Sequence, residues 1–98
     1  MQPIKLNCIR LSSFSSTSTL TSIGSYAFRS CTKLSSFSFS STLTSIGNYA
    51  FSSCTNLGSI TFYASSITIG SSSFEECTSI YNVITKGSIS LGNNAFYG

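Results

Sequence analysis

A nine-residue segment occurs twice in this chain of 98 residues, almost unchanged. LTSIGSYAF spans residues 20–28 and LTSIGNYAF spans residues 43–51, so the two copies begin 23 positions apart. The same period recurs in columns of identical residues: Cys8, Cys31, Cys54 and Cys77; Gly24, Gly47 and Gly70; Phe28, Phe51 and Phe74. A period of this length is typical of a solenoid, in which each unit buries its apolar side against the next unit.

Apolar columns continue through the chain and lose one residue near its end. They comprise Leu11, Leu34, Leu57 and Ile80; Phe14, Phe37, Ile60 and Val83; and Ile23, Ile46, Ile69 and Leu91. The next glycine and phenylalanine, Gly92 and Phe96, come one position early. The unit therefore reads L-x-x-I-G-x-x-A-F-x-x-C-x-x-L-x-x-[FI]. We divide the chain into a partial repeat 1–19, repeats 20–42, 43–65 and 66–88, and a partial repeat 89–98.

Two local patterns predict the secondary structure of one unit. Between Ala27 and Leu34 the apolar residues fall three or four positions apart, which favours a short helical turn. The segment SSFSFS alternates strictly, which favours a half-buried strand. A glycine precedes each helical stretch, where a residue without Cβ turns most freely. We expect helical turns at Ala27–Cys31, Ala50–Cys54 and Ser73–Cys77, and parallel strands at Ser36–Ser40, Ser59–Tyr63 and Asn82–Lys86.

The complete unit closely resembles the BspA-like leucine-rich repeat, which occurs in surface proteins of certain bacteria and parasitic protists. The match covers residues 20–83 strongly, 8–19 in part, and 89–96 as a truncated unit. The resemblance implies a repeat solenoid: a leucine-rich-repeat-like, right-handed coil with a short parallel strand and a short helical turn in each repeat. One departure is that the Leu of LTSIG becomes Ser66, with Ile67 and Ile69 alternating instead. ISLG at Ile89 repeats this variant, so we expect the convex side to differ towards the C-terminus.

The composition leaves no common catalytic constellation. There are 25 Ser and 11 Thr but only two Glu, and neither Asp nor His. Ser-His-Asp and Cys-His sites therefore cannot be built, and a Ser-Lys dyad, although formally possible, has no supporting motif. Glu75 and Glu76 are sequence neighbours that would point in different directions on a helix, so they cannot flank a substrate as an acid/base pair. We predict no enzyme activity and no cofactor.

The cysteines are expected to pack as small apolar residues rather than to bind metal. Zinc ligands usually come in closely spaced pairs that converge on one point, whereas this column follows the solenoid axis. The sequence does not decide whether disulfides join neighbouring repeats, because adjacent coils lie close enough for the Cα separation to permit them. Tyr26 and Tyr49 are expected at the surface. The predicted core ladder consists of Phe28, Phe51, Phe74, Phe96, Cys31, Cys54 and Cys77.

The resemblance implies a non-catalytic protein-binding or adhesion module, located at the cell surface or outside the cell, with a host or cell-surface protein as partner. Two alternatives are a purely architectural spacer and a glycan- or ice-binding solenoid, although threonine dominates no strand column. The five basic residues are scattered, which argues against nucleic-acid binding. No apolar run approaches a membrane span, and the N-terminus lacks a signal-peptide pattern. Neither end carries a polar cap, which predicts a fragment of a longer array or end-to-end self-association.

Alternation within the strands predicts the binding surface. If Phe37 and Phe39 point inwards, the residues between and beside them point outwards on the face that repeat proteins commonly use for partners. The predicted protein-binding face comprises Ser36, Ser38, Ser59, Thr61, Tyr63, Asn82, Ile84 and Lys86. Its C-terminal half combines an aromatic, an aliphatic and a cationic side chain, a composition typical of interface anchors. The alternative is that the hydroxyl side chains only solvate the sheet.

Overall fold

The computed structural model describes residues 12–15 and 19–98 and shows a solenoid of short parallel strands. The strands are β1 (Ser13–Ser15), β2 (Ser22–Ile23), β3 (Ser36–Phe39), β4 (Ser45–Ile46), β5 (Ser59–Phe62), β6 (Ser66–Ile69), β7 (Asn82–Thr85) and β8 (Ser88–Leu91). Sheet A has the order β1-β3-β5-β7, and sheet B has the order β2-β4-β6-β8. Each strand pairs with its equivalent in the next repeat, as the solenoid prediction requires. Cys8 and Leu11, the first members of their columns, lie outside the described residues.

Sheet A contains the three strands predicted from alternation, each ending one residue earlier than expected. Its register follows the sequence period: Phe37 pairs with Ile60, and Thr61 pairs with Ile84. Phe37, Phe39, Ile60 and Phe62 are buried. The expected inward direction of the apolar residues is therefore confirmed.

Sheet B changes along the solenoid, as the variant LTSIG segments suggested. Strands β2 and β4 have two residues each, whereas β6 and β8 have four. Leu43 and Ile46 are both buried although they lie three positions apart, a spacing that a regular strand cannot direct to one face. Ile67 and Ile69 lie two positions apart and are also buried. Their spacing fits the strand period, so the longer ladder forms.

The predicted helical turns are wrong, because the stretches from Ala27, Ala50 and Ser73 form successive turns and no helix occurs in the described ranges. Alternate amides bond differently: Ala27 N–H donates to the Gly24 carbonyl at 3.3 Å, whereas Phe28 N–H donates to the Ala50 carbonyl of the next repeat at 2.7 Å. Tyr26 and Ser30, which flank these amides, have positive φ (64° and 61°). We call this third side of the solenoid the turn ladder; it comprises residues 24–31, 47–54 and 70–77. It places these apolar side chains in the core without the consecutive hydrogen bonds of a helix.

The repeated glycine is needed for close contact between neighbouring repeats, not for a turn with positive φ. Among the glycines of the described part, positive φ occurs only at Gly98. A Cβ on Gly47 would lie 2.5 Å from the Ser25 amide nitrogen, and one on Gly70 would lie 2.5 Å from Asn48 Oδ1. Glycine therefore lets one coil press directly on the backbone of the coil before it.

A continuous stack of phenylalanine rings forms the core beside the turn ladder. Neighbouring rings of Phe28, Phe51, Phe74 and Phe96 have centroids 5.2, 5.1 and 5.0 Å apart and are almost parallel. Phe37 and Phe39 meet Phe51 edge-on. The first three members of the stack are buried, whereas Phe96 is 36% exposed.

Candidate functional site

The outer face of sheet A carries the residues selected from the sequence as a protein-binding face. In its N-terminal part, Ser36 is exposed, and Ser59 and Thr61 are half-buried. The backbone of Ser38 lies between them in register with Thr61, but its side chain lies outside what the structure describes. Asn82 is exposed beside Ser59. This part of the face offers short hydroxyl and amide groups.

The C-terminal part of the same face brings together Tyr63, Ile84 and Lys86, which we call the anchor cluster. Tyr63 is 50% exposed and Ile84 is 42% exposed. The Lys86 ammonium lies 6.0 Å from the centre of the Tyr63 ring, within the range of a cation–π contact. The backbone supports this contact, because Lys86 N–H donates to the Phe62 carbonyl at 3.0 Å. The cluster thus offers an aromatic face, an aliphatic group and a positive charge.

Sequence reasoning missed the aromatic Tyr81, which lies immediately before β7 and is 80% exposed. Its amide donates to the Gly58 carbonyl at 3.2 Å. A Cβ on Gly58 would lie 3.0 Å from the Tyr81 ring, so the ring packs over this glycine. The sequence contains a sign of this packing in the column Ser12, Ser35, Gly58 and Tyr81. Gly58 lies one repeat before Tyr81, and its lack of a side chain leaves space for the tyrosine ring.

A second exposed aromatic group lies on the turn ladder. The rings of Tyr26 and Tyr49 stack with centroids 5.1 Å apart and an interplanar angle of 4°. Tyr26 is exposed and Tyr49 is half-buried. The Arg29 guanidinium lies 5.6 Å from the centre of the Tyr26 ring. The two tyrosines therefore form a short surface stack parallel to the buried phenylalanine stack.

The described cysteines are buried, and they differ in bonding state. Cys31 is disulfide-bonded, whereas Cys54 and Cys77 are free thiols. Cys54 Sγ donates to the Phe28 carbonyl at 3.1 Å, and Cys77 Sγ donates to the Phe51 carbonyl at 3.0 Å. The neighbouring Cys77 thiol and burial both raise the pKa of Cys54, which keeps it protonated and weakly nucleophilic. Within residues 12–15 and 19–98, no three His, Cys, Asp or Glu side chains come together as a metal site.

Comparison with protein families decides the classification. The family model described as "BspA type Leucine rich repeat region (6 copies)" matches residues 6–98. The chain belongs to the BspA-type leucine-rich-repeat family. The parallel solenoid is consistent with the coil of such repeats. The comparisons with curated proteins and with solved structures found no match.

Membership of the BspA-type family supports a general role. Leucine-rich repeats generally mediate protein interaction, and BspA-type proteins are typically surface-associated. Such repeats are typically non-catalytic. In the portion of the chain that the structure describes, no helix has the length and apolar character needed to cross a bilayer. The chain is accordingly a repeat module of a class that binds proteins.

Proposed function

We propose that this BspA-type chain is a non-catalytic binding module that contacts a protein partner, in adhesion at the cell surface, through the outer face of sheet A. The observation that carries the proposal is the anchor cluster, where Lys86 lies over the exposed ring of Tyr63 beside Ile84. Tyrosine is enriched among residues that dominate interface energies. A partner that covers this cluster excludes water from an aromatic ring, an aliphatic group and a cation at once.

The rigidity of the surface also supports this proposal. Ile84 lies on β7, which pairs with β5 over four residues, and Tyr63 directly follows β5. Because the strands fix the backbone, the cluster loses little conformational freedom when a partner binds. A surface already ordered in the free protein binds more tightly than a loop of the same composition.

Immobilised extracellular-matrix proteins provide a direct test, with the purified chain in solution and its binding followed by an optical biosensor. We expect Tyr63→Ala and Ile84→Ser each to weaken binding by about tenfold or more, as anchor residues do. Ser36→Ala on the same face and Thr68→Ala on sheet B should leave binding nearly unchanged. Circular dichroism and urea unfolding establish that each variant keeps its fold.

Equal losses in all four variants would exclude the anchor cluster as the contact. Failure to bind any protein in the panel would favour the alternative of a purely architectural spacer.

A second proposal concerns self-association at the end of the solenoid formed by β7 and β8. Leu91 is 54% exposed there, although Ile69, its equivalent in the preceding repeat, is completely buried. Val83 and Phe96 are likewise more exposed than Ile60 and Phe74, their equivalents in the preceding repeat. Exposed apolar residues beside the outer edges of β7 and β8, which pair with no further strand among the described residues, favour association with a second copy. Light scattering should show a mass that rises with concentration, and Leu91→Lys should abolish that rise, whereas a monomer at every concentration would exclude this association.

A further inference from the structure

The two free thiols of the turn ladder occupy equivalent positions in neighbouring repeats. Cys54 and Cys77 are one repeat apart in the sequence. Each thiol donates to the same kind of acceptor in the coil before it: Cys54 to the Phe28 carbonyl at 3.1 Å, and Cys77 to the Phe51 carbonyl at 3.0 Å. The two side chains therefore have the same orientation and are displaced by one step along the solenoid.

The size of this step suits a disulfide bond. The rings of Phe51 and Phe74, three residues before the two cysteines, have centroids 5.1 Å apart. Disulfide-bonded cysteines have Cα atoms about 4.4–6.8 Å apart, a range that includes the separation of two stacked coils. The thiols of Cys54 and Cys77 are already in hydrogen-bond contact. A bond between their sulfur atoms therefore requires no separation or rotation of the coils.

The same column already contains one disulfide-bonded cysteine. Cys31, one repeat before Cys54, is bonded, and its partner is neither Cys54 nor Cys77, because both of these are free. The fold thus accepts a disulfide at this position of the repeat. The two thiols that remain free are neighbours, so each has the other within reach.

The environments of the two thiols give them different reactivities. Cys54 is completely buried, whereas Cys77 is 8% exposed. The hydrogen bond with Cys54 lowers the pKa of Cys77, whereas the hydrogen bond with Cys77 and burial raise the pKa of Cys54. The thiolate is the nucleophile in thiol–disulfide exchange. Cys77 is therefore the first of the pair to attack an incoming disulfide, and Cys54 is the second.

We propose that Cys54 and Cys77 are a site of disulfide formation that joins repeats 43–65 and 66–88 when the chain meets a small-molecule disulfide such as oxidised glutathione. The Cys77 thiolate attacks one sulfur of oxidised glutathione, which breaks its S–S bond, forms a mixed disulfide and releases one glutathione. Cys54 then attacks Cys77 Sγ and releases the second glutathione. The chain loses two electrons and two protons, and the two glutathione molecules that leave as thiols take them up.

The new bond joins the two repeats that hold the anchor cluster. Tyr63 belongs to repeat 43–65, whereas Ile84 and Lys86 belong to repeat 66–88. Oxidation thus fixes the two halves of the cluster relative to each other by a covalent bond. The formation of the bond does not depend on the proposed protein-binding role, because it is read directly from the chain.

Peptide mapping of the intact, folded chain after incubation with oxidised glutathione tests this proposal. Remaining thiols are blocked with N-ethylmaleimide in urea, and the chain is cleaved with trypsin and with a protease that cuts after glutamate. Trypsin alone leaves both cysteines in one peptide, because no Lys or Arg lies between Lys33 and Lys86, whereas cleavage after Glu75 or Glu76 separates them. We expect mass spectrometry to find the two separated peptides joined by a disulfide. Incubation with reduced glutathione should leave both cysteines as blocked thiols.

Two variants test the order of the reaction. Cys54→Ser should stop at the mixed disulfide and carry one glutathione on Cys77. Cys77→Ser should take up glutathione on Cys54 at least about tenfold more slowly, because Cys54 is buried and its thiol stays protonated. In the unsubstituted chain, bond formation should raise the urea midpoint by about 1 M, and the same treatment should not raise it in either variant.

The unsubstituted chain alone is sufficient to overturn the proposal. If Cys54 and Cys77 both remain free after incubation with oxidised glutathione, the proposal is wrong. It is also wrong if either cysteine becomes linked to Cys31 instead. A link that forms only after urea has unfolded the chain, as followed by circular dichroism, overturns it too, because the stacking of the coils would then not bring the thiols together.

Discussion

Replacing Gly47 by alanine tests whether the repeated glycine is required for contact between repeats. The new Cβ would lie 2.5 Å from the Ser25 amide nitrogen and 2.8 Å from the Gly24 carbonyl carbon. Ordinary contacts between non-bonded carbon atoms lie at about 3.5–4.0 Å. Both opposing atoms belong to the backbone, so no side chain can rotate away. The two repeats must separate locally by about 1 Å to restore normal contact.

This separation affects the hydrogen bonds on both sides of the glycine. Gly47 N–H donates to the Ile23 carbonyl at 2.8 Å, and Tyr26 N–H donates to the Asn48 carbonyl at 3.0 Å. Overpacking costs about 1–3 kcal/mol, and weakening of these bonds adds about 1 kcal/mol each. Alanine restricts the unfolded chain, which offsets about 0.4–1 kcal/mol. We therefore expect Gly47→Ala to lower the free energy of unfolding by about 2–4 kcal/mol.

Urea unfolding followed by far-UV circular dichroism measures this difference. Gly58→Ala is the matched control, because its Cβ would lie 3.0 Å from the ring of the exposed Tyr81, which can move, and 4.0 Å from the Ser35 carbonyl oxygen, an ordinary contact. The control should change the free energy of unfolding by about 0.5 kcal/mol or less. If Gly47→Ala is as stable as Gly58→Ala, close contact is not the reason for glycine at this position.

Three further predictions concern the core, the turn ladder and the thiols. Phe51→Ala, which removes a buried ring from the phenylalanine stack, should lower the free energy of unfolding by about 3–5 kcal/mol, and Tyr49→Ala by only about 1 kcal/mol, both measured by urea unfolding. Ser53→Gly should raise the free energy of unfolding by about 0.5–1 kcal/mol, because Ser53 has φ of 63° and glycine adopts this region without steric cost. Thr55→Gly, at an exposed position without positive φ, should not raise it. Cys54 should react with iodoacetamide about a hundredfold more slowly in the folded chain than in urea, as followed by mass spectrometry, because Cys77 and burial raise its pKa. A rate equal to that of the unfolded chain would contradict this account of the thiol.

The sequence predicted the strands of sheet A well because their pattern has one physical meaning. Strict alternation of serine and phenylalanine at Phe37 and Phe39 matches the two-residue period of a strand and no other regular element. The period of the repeat then fixed the parallel register, since each strand must pair with its equivalent. The exposed positions of Tyr63 and Ile84 follow from the same alternation.

The turn ladder could not be predicted in the same way, because its apolar spacing has two solutions. Residues three or four positions apart can share one face of a helix, but Ala27, Phe28 and Cys31 reach the core equally well from successive turns. Positive φ at Tyr26 and Ser30 decides between them, and neither residue type signals that conformation. Hydrogen bonds to the next repeat stabilise it. They are contacts between segments, which a local pattern does not contain.

Strand length differs between the repeats of sheet B, and this difference favours the correct pairing of repeats during folding. Because residues 20–28 and 43–51 are almost identical, a folding chain could align one repeat with the wrong neighbour and leave an intervening repeat looped out. Strands β6 and β8 pair over four residues, whereas β2 and β4 pair over two. A misaligned chain that joins β4 to β8 would replace the longest ladder of sheet B with a shorter one. The SITI and SISL segments therefore favour the native order of coils over an order in which one repeat is skipped.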